Sequence, residues 1–149
     1  MQSASVYRFP DRLLVVPNCR TPMGILLSSE PYSALPLEIS DHELGAAIEA
    51  ALLASSRTVP HPTDWKTASA PRLNAAGVKS ERAFQQRSTL VQVFKTAESI
   101  RVVPSHNGGV AGEGRGFHSL ANVEVVIPLP SPAEGLAVQV RRAFEQCTT

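Results

Sequence analysis

The chain has 149 residues, 43% of them hydrophobic and 18% charged, with a formal net charge of +1. That describes one ordinary domain able to bury a continuous core, and it excludes the global field that draws a protein to nucleic acid or an anionic membrane. Two widely separated cysteines, Cys19 and Cys147, exclude a disulfide framework. No secretory leader opens the chain and no apolar run approaches the ~20 residues of a membrane span, so a cytoplasmic location is the expectation.

Ser5 to Phe9 predicts a short strand, Pro10–Asp11 a type I turn, and Arg12–Val16 a returning strand rich in Leu and Val. Met23–Leu27 predicts a third strand and Leu35–Ile39 a fourth. Ser40 followed three residues on by Glu43 forms an S-x-x-E capping box, in which the serine hydroxyl accepts from a free helix amide and the glutamate reaches back. The helix it starts, Asp41–Ser55, sets Leu44, Ile48, Ala51 and Leu52 on one apolar stripe.

Val59–Pro71 holds Pro60, Pro62 and Pro71 and predicts an irregular loop. Trp65, the sole tryptophan, sits in it, either pinning the loop to the core or serving as an anchor for a partner. Arg72–Ala76 predicts a short helix ended by Gly77, and Ser80 caps another over Glu81–Arg87. Leu90–Phe94 suits a central strand and Ile100–Val103 returns after a turn. Ser105–Gly116 reads as a polar, glycine-rich loop and Asn122–Pro128 as the last strand. Ser131–Glu134 repeats the capping box, with Pro132 at the first helical position. The final helix, from about Pro132 to Gln146, carries Leu136, Val140, Ala143 and Phe144 at helical spacing, and Arg141 and Arg142 complement its dipole.

The second half restates the first. Val15-Val16-Pro17 has a partner in Val102-Val103-Pro104, and each copy continues through glycines to a strand and an S-x-x-E helix. The pattern predicts an internal duplication, with repeat one at about residues 5–56, a connecting segment at 57–88 and repeat two at about 89–147. The expected fold is a single α+β domain. It has a largely antiparallel central sheet, two long capped helices packed on it and the short helices at one edge.

No catalytic set stands out. His42, His61, His106 and His118 form no H-E-x-x-H and no zinc spacing, so neither metal nor cofactor is expected. Gly108, Gly109, Gly112, Gly114 and Gly116 match neither the Walker nor the Rossmann pattern. They read as a hairpin loop, or as one that adapts to a protein partner. Cys19 occupies nearly the place in repeat one that His106 occupies in repeat two. A Cys19–His106 pair beside the Gly108–Gly116 loop therefore stands as the alternative, a small enzyme or ligand binder.

Charge is segregated along the chain. From Ser28 to Ser56 every charged residue is acidic, for a net −5, and from Arg57 to Lys95 the balance is +5. The two stretches either neutralise each other in the fold or form two patches that steer a charged protein partner.

The run Ile39-Ser40-Asp41-His42-Glu43-Leu44-Gly45 with the helix after it resembles the immunity proteins of bacterial contact-dependent growth inhibition systems. So do Ala76-Gly77-Val78-Lys79-Ser80, Val103-Pro104-Ser105-His106, and Pro128-Leu129-Pro130-Ser131-Pro132-Ala133-Glu134 with its helix ending in Cys147. Asn107 and glycines stand where members of that family often have a second histidine and an aromatic. The resemblance implies a small cytosolic non-enzyme that binds the cognate toxic C-terminal domain of a delivered effector, often a nuclease, and blocks its active site or substrate path. It would contact neither nucleic acid nor membrane directly. A nuclease needs a basic substrate groove, so the acidic residues Glu30, Asp41 and Glu49 are candidate partner contacts. Trp65 and the loop residues His106, Glu113 and Arg115 complete the expected surface, with Glu43 reserved for the cap.

Overall fold

The computed structural model describes residues 1–149. Its strands are β1 (Gln2–Arg8), β2 (Leu13–Arg20), β3 (Leu26–Ser28), β4 (Ser33–Leu35), β5 (Thr89–Lys95), β6 (Ser99–Asn107), β7 (Phe117–Ser119) and β8 (Val125–Pro128). Its helices are α1 (Asp41–Ala54), α2 (Trp65–Ala76), α3 (Glu81–Arg87) and α4 (Ala133–Gln146). All eight strands join one antiparallel sheet in the order β3-β2-β1-β5-β6-β7, with β4 also pairing β2 and β8 also pairing β6. The β1–β5 pair, from Gln2↔Lys95 to Arg8↔Thr89, is the centre. On either side of it the elements follow the same order, and each long helix leads into a parallel bridge back to its own half: Arg20↔Thr58 and His106↔Thr148.

Strand alternation gives the sheet two faces. Ala4, Val6, Leu13, Val15, Val91, Val93, Ile100 and Val102 point to the first, where α1 and α4 cover them. The stripes read from the sequence face inward: Leu44, Ile48, Ala51 and Leu52 from α1 meet Leu136, Val140, Ala143 and Phe144 from α4 in a core cluster of 17 residues. Fully burying each large aliphatic side chain contributes about 1.5–3 kcal/mol.

The two long helices cross closely because Gly45 has no side chain. A Cβ there would lie 2.0 Å from the Ala133 carbonyl oxygen at the start of α4. Arg141 then ties α4 to the entry of α1, donating from Nε to Asp41 Oδ1 at 2.8 Å and to the carbonyls of Leu37 and Ile39. Its charge serves that clamp and not the end of its own helix, as its place in the sequence had indicated.

The short helices were expected at one edge. They lie over one end of the second face, where Ala76, Val78 and Phe84 pack on Tyr7, Phe9, Leu14, Val16 and Leu90. Phe84 sits edge-on to both Tyr7 and Phe9, with ring centroids 4.7 and 5.1 Å apart.

Several local expectations are corrected. The Leu35–Ile39 strand is absent: β4 ends at Leu35, because Pro36 has no amide for a ladder and the chain turns, Ile39 N donating to Pro36 O. Trp65 begins a helix and not a loop. Asp64 caps α2 by accepting from the amides of Lys66 and Thr67 and from the Thr67 hydroxyl at 2.6 Å. Gly77, at φ 73°, closes it, with Val78 N donating to Leu73 O and Gly77 N to Asn74 O. Those two caps offset an interior Pro71, which costs a helix about 3 kcal/mol.

Ser40 caps α1 as expected, accepting from Glu43 N at 3.1 Å. Ser131 does not cap α4. Pro132 stays extended (ψ 150°) and takes the cap position itself, so the helix starts one residue late and the Ser131 hydroxyl is out of register with its amides. Asn122–Pro128 divides into a single 3-10 turn, Ala121–Val123, and β8.

Candidate functional site

The exposed aromatic and the glycine loop lie on either side of α3 residues Glu81 and Gln85, at the covered end of the second face. A cavity of about 320 Å³ lies between β3, α2, α3 and β7, with Leu26 and Trp65 on its walls and Tyr7, Phe84 and Phe117 among its lining. Leu26 and Trp65 remain 44% and 49% exposed. Burial pushes the Tyr7 phenol up from its ordinary value, so it stays a neutral hydrogen-bonding group. Arg72 spans the wall. Its guanidinium lies 4.2 Å from the Phe84 ring centre and forms an ion pair with Glu81.

Glu81 and Gln85 also line a second, open polar cavity of about 460 Å³, together with Arg82, Gly109, Val110, Arg115 and Gly116. The two cavities adjoin at Glu81 and Gln85 as one trough, with most of its hydrophobic side chains at the Trp65 end. The loop is cross-linked: Gly108 N donates to Gly116 O and Gly116 N to Gly109 O. Asn107 anchors its base, with Nδ2 donating to the carbonyls of Gln85 and Ser88, and Oδ1 accepting from Gln85 Nε2 and Gly109 N. Asn107 thus holds the loop against α3.

Of the residues predicted from sequence, the fold brings Trp65 and Arg115 to this trough, with Glu113 exposed on the same loop. Asp41 is engaged by Arg141 at the α1–α4 contact. Glu30 lies exposed between β3 and β4, its carbonyl accepting from Arg57, and Glu49 lies midway along α1. His106 pairs across the strands with His118 on the α4 side of the sheet, and its Nδ1 is 2.8 Å from Thr148 Oγ1. Arg72, Glu81, Arg82, Gln85, Leu26 and Phe117 were not singled out. Only the +5 run from residue 57 to 95 hinted at any of them.

The acidic and basic runs do not neutralise each other. α1 lies on the first face and α2–α3 on the second, and none of the five ion pairs joins one run to the other.

The alternative Cys19–His106 pair is not assembled. Cys19 ends β2, fully buried, its thiol 3.6 Å from Ala54 O, whereas His106 lies at the opposite end of the sheet near the close of α4. Equivalent places in two halves that run antiparallel about β1–β5 fall at opposite corners. Cys147 is half-buried, and burial pushes its thiol up, away from the reactive thiolate. No group of three or more His, Cys, Asp or Glu is placed to hold a metal, and no helix is long and apolar enough to cross a membrane.

The family model described as CdiI, CDI immunity protein, matches residues 2–147. Among solved structures, a protein of unknown function from Neisseria meningitidis superposes with a TM-score of 0.74 at 15% identity, covering 98% of this chain and 94% of that one. A CdiA-CT/CdiI toxin and immunity complex from Yersinia pseudotuberculosis superposes with a TM-score of 0.73 at 15% identity, covering 99% and 97%. At that identity the two neighbours show the fold. No curated protein matches the sequence.

Proposed function

The chain belongs to the CDI immunity protein family, and we propose that it binds and neutralises the toxic C-terminal domain of a contact-dependent growth inhibition effector in the cytoplasm of the cell that makes it. The observation that carries this reading is the family match over residues 2–147. The toxin and immunity complex among its structural neighbours agrees with it.

The protein acts by occupying its partner and not by catalysis, and the partner is a nuclease. Two features support a division of labour on its surface. Glu30 and Glu49, which form no ion pair in the fold, attract a toxin with a basic substrate groove over long range. Trp65 and Arg115, on the walls of the trough, and Glu113, exposed on the same loop as Arg115, make the short-range contacts. Asp41 supports the helix pair and His106 the chain end, which leaves neither free as an anchor.

The test is co-expression with the toxic C-terminal domain of a contact-dependent growth inhibition effector from the same genome. Growth is rescued and a complex of the two is recovered if the reading holds; unrelieved toxicity with no complex rejects it. Cleavage of plasmid DNA or tRNA by the isolated toxin, inhibited by this chain, checks the nuclease assignment. Reversing Glu30 and Glu49 to Lys slows association at low salt, and an unchanged on-rate removes the steering role.

A further inference from the structure

The geometry points to a two-part socket in the trough, built to receive a segment of the toxin that carries a large apolar side chain followed by a carboxylate. This rests on the toxin-binding reading above and adds the place and the chemistry of the contact.

The apolar half is the cavity between Leu26 and Trp65. A tryptophan that is 49% exposed on the wall of a cavity also lined by the exposed Leu26 is the kind of residue that dominates binding energy once covered. Trp65 is held ready. It is the first residue of a capped helix, and its ring meets the His61 ring edge-on at 5.5 Å. Little side-chain entropy is left to lose on contact.

The charged half follows from which ion pairs are already made. Three guanidiniums and one carboxylate line the trough. The carboxylate, Glu81, is taken by Arg72, whose side chain is only 14% exposed. Arg82 and Arg115 line the second cavity, and neither forms an ion pair. Two like charges across one cavity repel. A carboxylate between them relieves that repulsion and gains charge-assisted hydrogen bonds from both guanidiniums. The occupant is therefore acidic at the loop end, although the toxin as a whole is drawn by acidic residues elsewhere. The anchored Asn107 keeps Arg115 at a fixed distance from α3, so the socket exists before the partner arrives.

The test uses the full-length chain and a catalytically inactive C-terminal domain of that effector, by calorimetry and stopped flow. Trp65→Ala raises Kd by tenfold or more through a faster off-rate. The double variant Arg82→Glu, Arg115→Glu raises it about a hundredfold. A carboxylate-to-Lys scan of the toxin finds one position that restores binding to the double variant, while both variants keep the wild-type melting temperature. If the wild-type chain binds and both variants stay within threefold of it, the socket is wrong while the immunity reading stands. If the wild-type chain does not bind, both fall.

Discussion

The two faces of the sheet are built on different principles. Under α1 and α4 the buried positions form one apolar cluster, with Arg8 against Phe144 and His106 at its margins. The second face mixes types. Tyr7, Leu14, Val16 and Leu90 carry α2 and α3 at one end, while Ser3, Ser5 and Asn18 lie buried toward the other, Asn18 Nδ2 donating to both serine hydroxyls at 3.1 and 3.0 Å. Residues 57–88, which supply α2 and α3, have no counterpart in the second half of the chain. The comparison teaches that the larger apolar core lies on the α1–α4 side and surface variety on the other. A partner can be met on the second face without disturbing the packing that holds the domain together.

The sharpest way to break this comparison is in the sealed core. Leu136, 1% exposed in the larger cluster, changed to Ala is expected to cost about 3 kcal/mol in denaturant unfolding. A loss below 1 kcal/mol, on the order of a surface change, would show that the first face is not where stability resides. Next comes Gly45→Ala, which drives a methyl into the Ala133 carbonyl and is expected to cost about 2 kcal/mol. A neutral result would mean that α1 and α4 separate easily.

Two serines then test the halves against each other. Ser40→Ala removes an observed cap and should cost about 1 kcal/mol, whereas Ser131→Ala should cost less than about 0.5. Equal losses would contradict the late start of α4.

The smallest effect is a titration on the second face. The Thr67 side-chain hydrogen bond, above all, holds the Asp64 carboxyl below its ordinary value of 3.8. Its folded pKa is thus below its unfolded one, so the support it gives α2 is complete above that ordinary value and is lost as pH falls through the lower, folded value. The amide resonances of Lys66 and Thr67 should titrate together below pH ~4, and Asp64→Asn should abolish the transition. Independence from that substitution would assign the cap elsewhere.

Much of this fold was legible residue by residue. The stripes of α1 and α4, the Ser40 and Ser80 caps, the Gly77 stop and the central strand at Leu90–Phe94 all depend on neighbours within a few positions. The failures share a cause. Three prolines masked α2, since only Pro71 falls inside it and Asp64, just upstream, starts it. The Ser131 box was read from its letters, and the extended Pro132 shifted its register by one. Of the expected surface, Trp65 and Arg115 reached one trough, whereas Asp41 and His106 were drawn into contacts with α4 and the chain end.

By itself the sequence determined the α+β class, the amphipathic helices and the segregation of charge, because periodicity, capping and net charge are properties of short windows. Only the tertiary structure decided which face each helix covers, that no ion pair joins the acidic run to the basic one, and that Arg82 and Arg115 share a cavity while neither forms an ion pair. Those are outcomes of strand register and of a chain that folds back antiparallel about β1 and β5, so residues alike in sequence position end at opposite corners and residues far apart become neighbours.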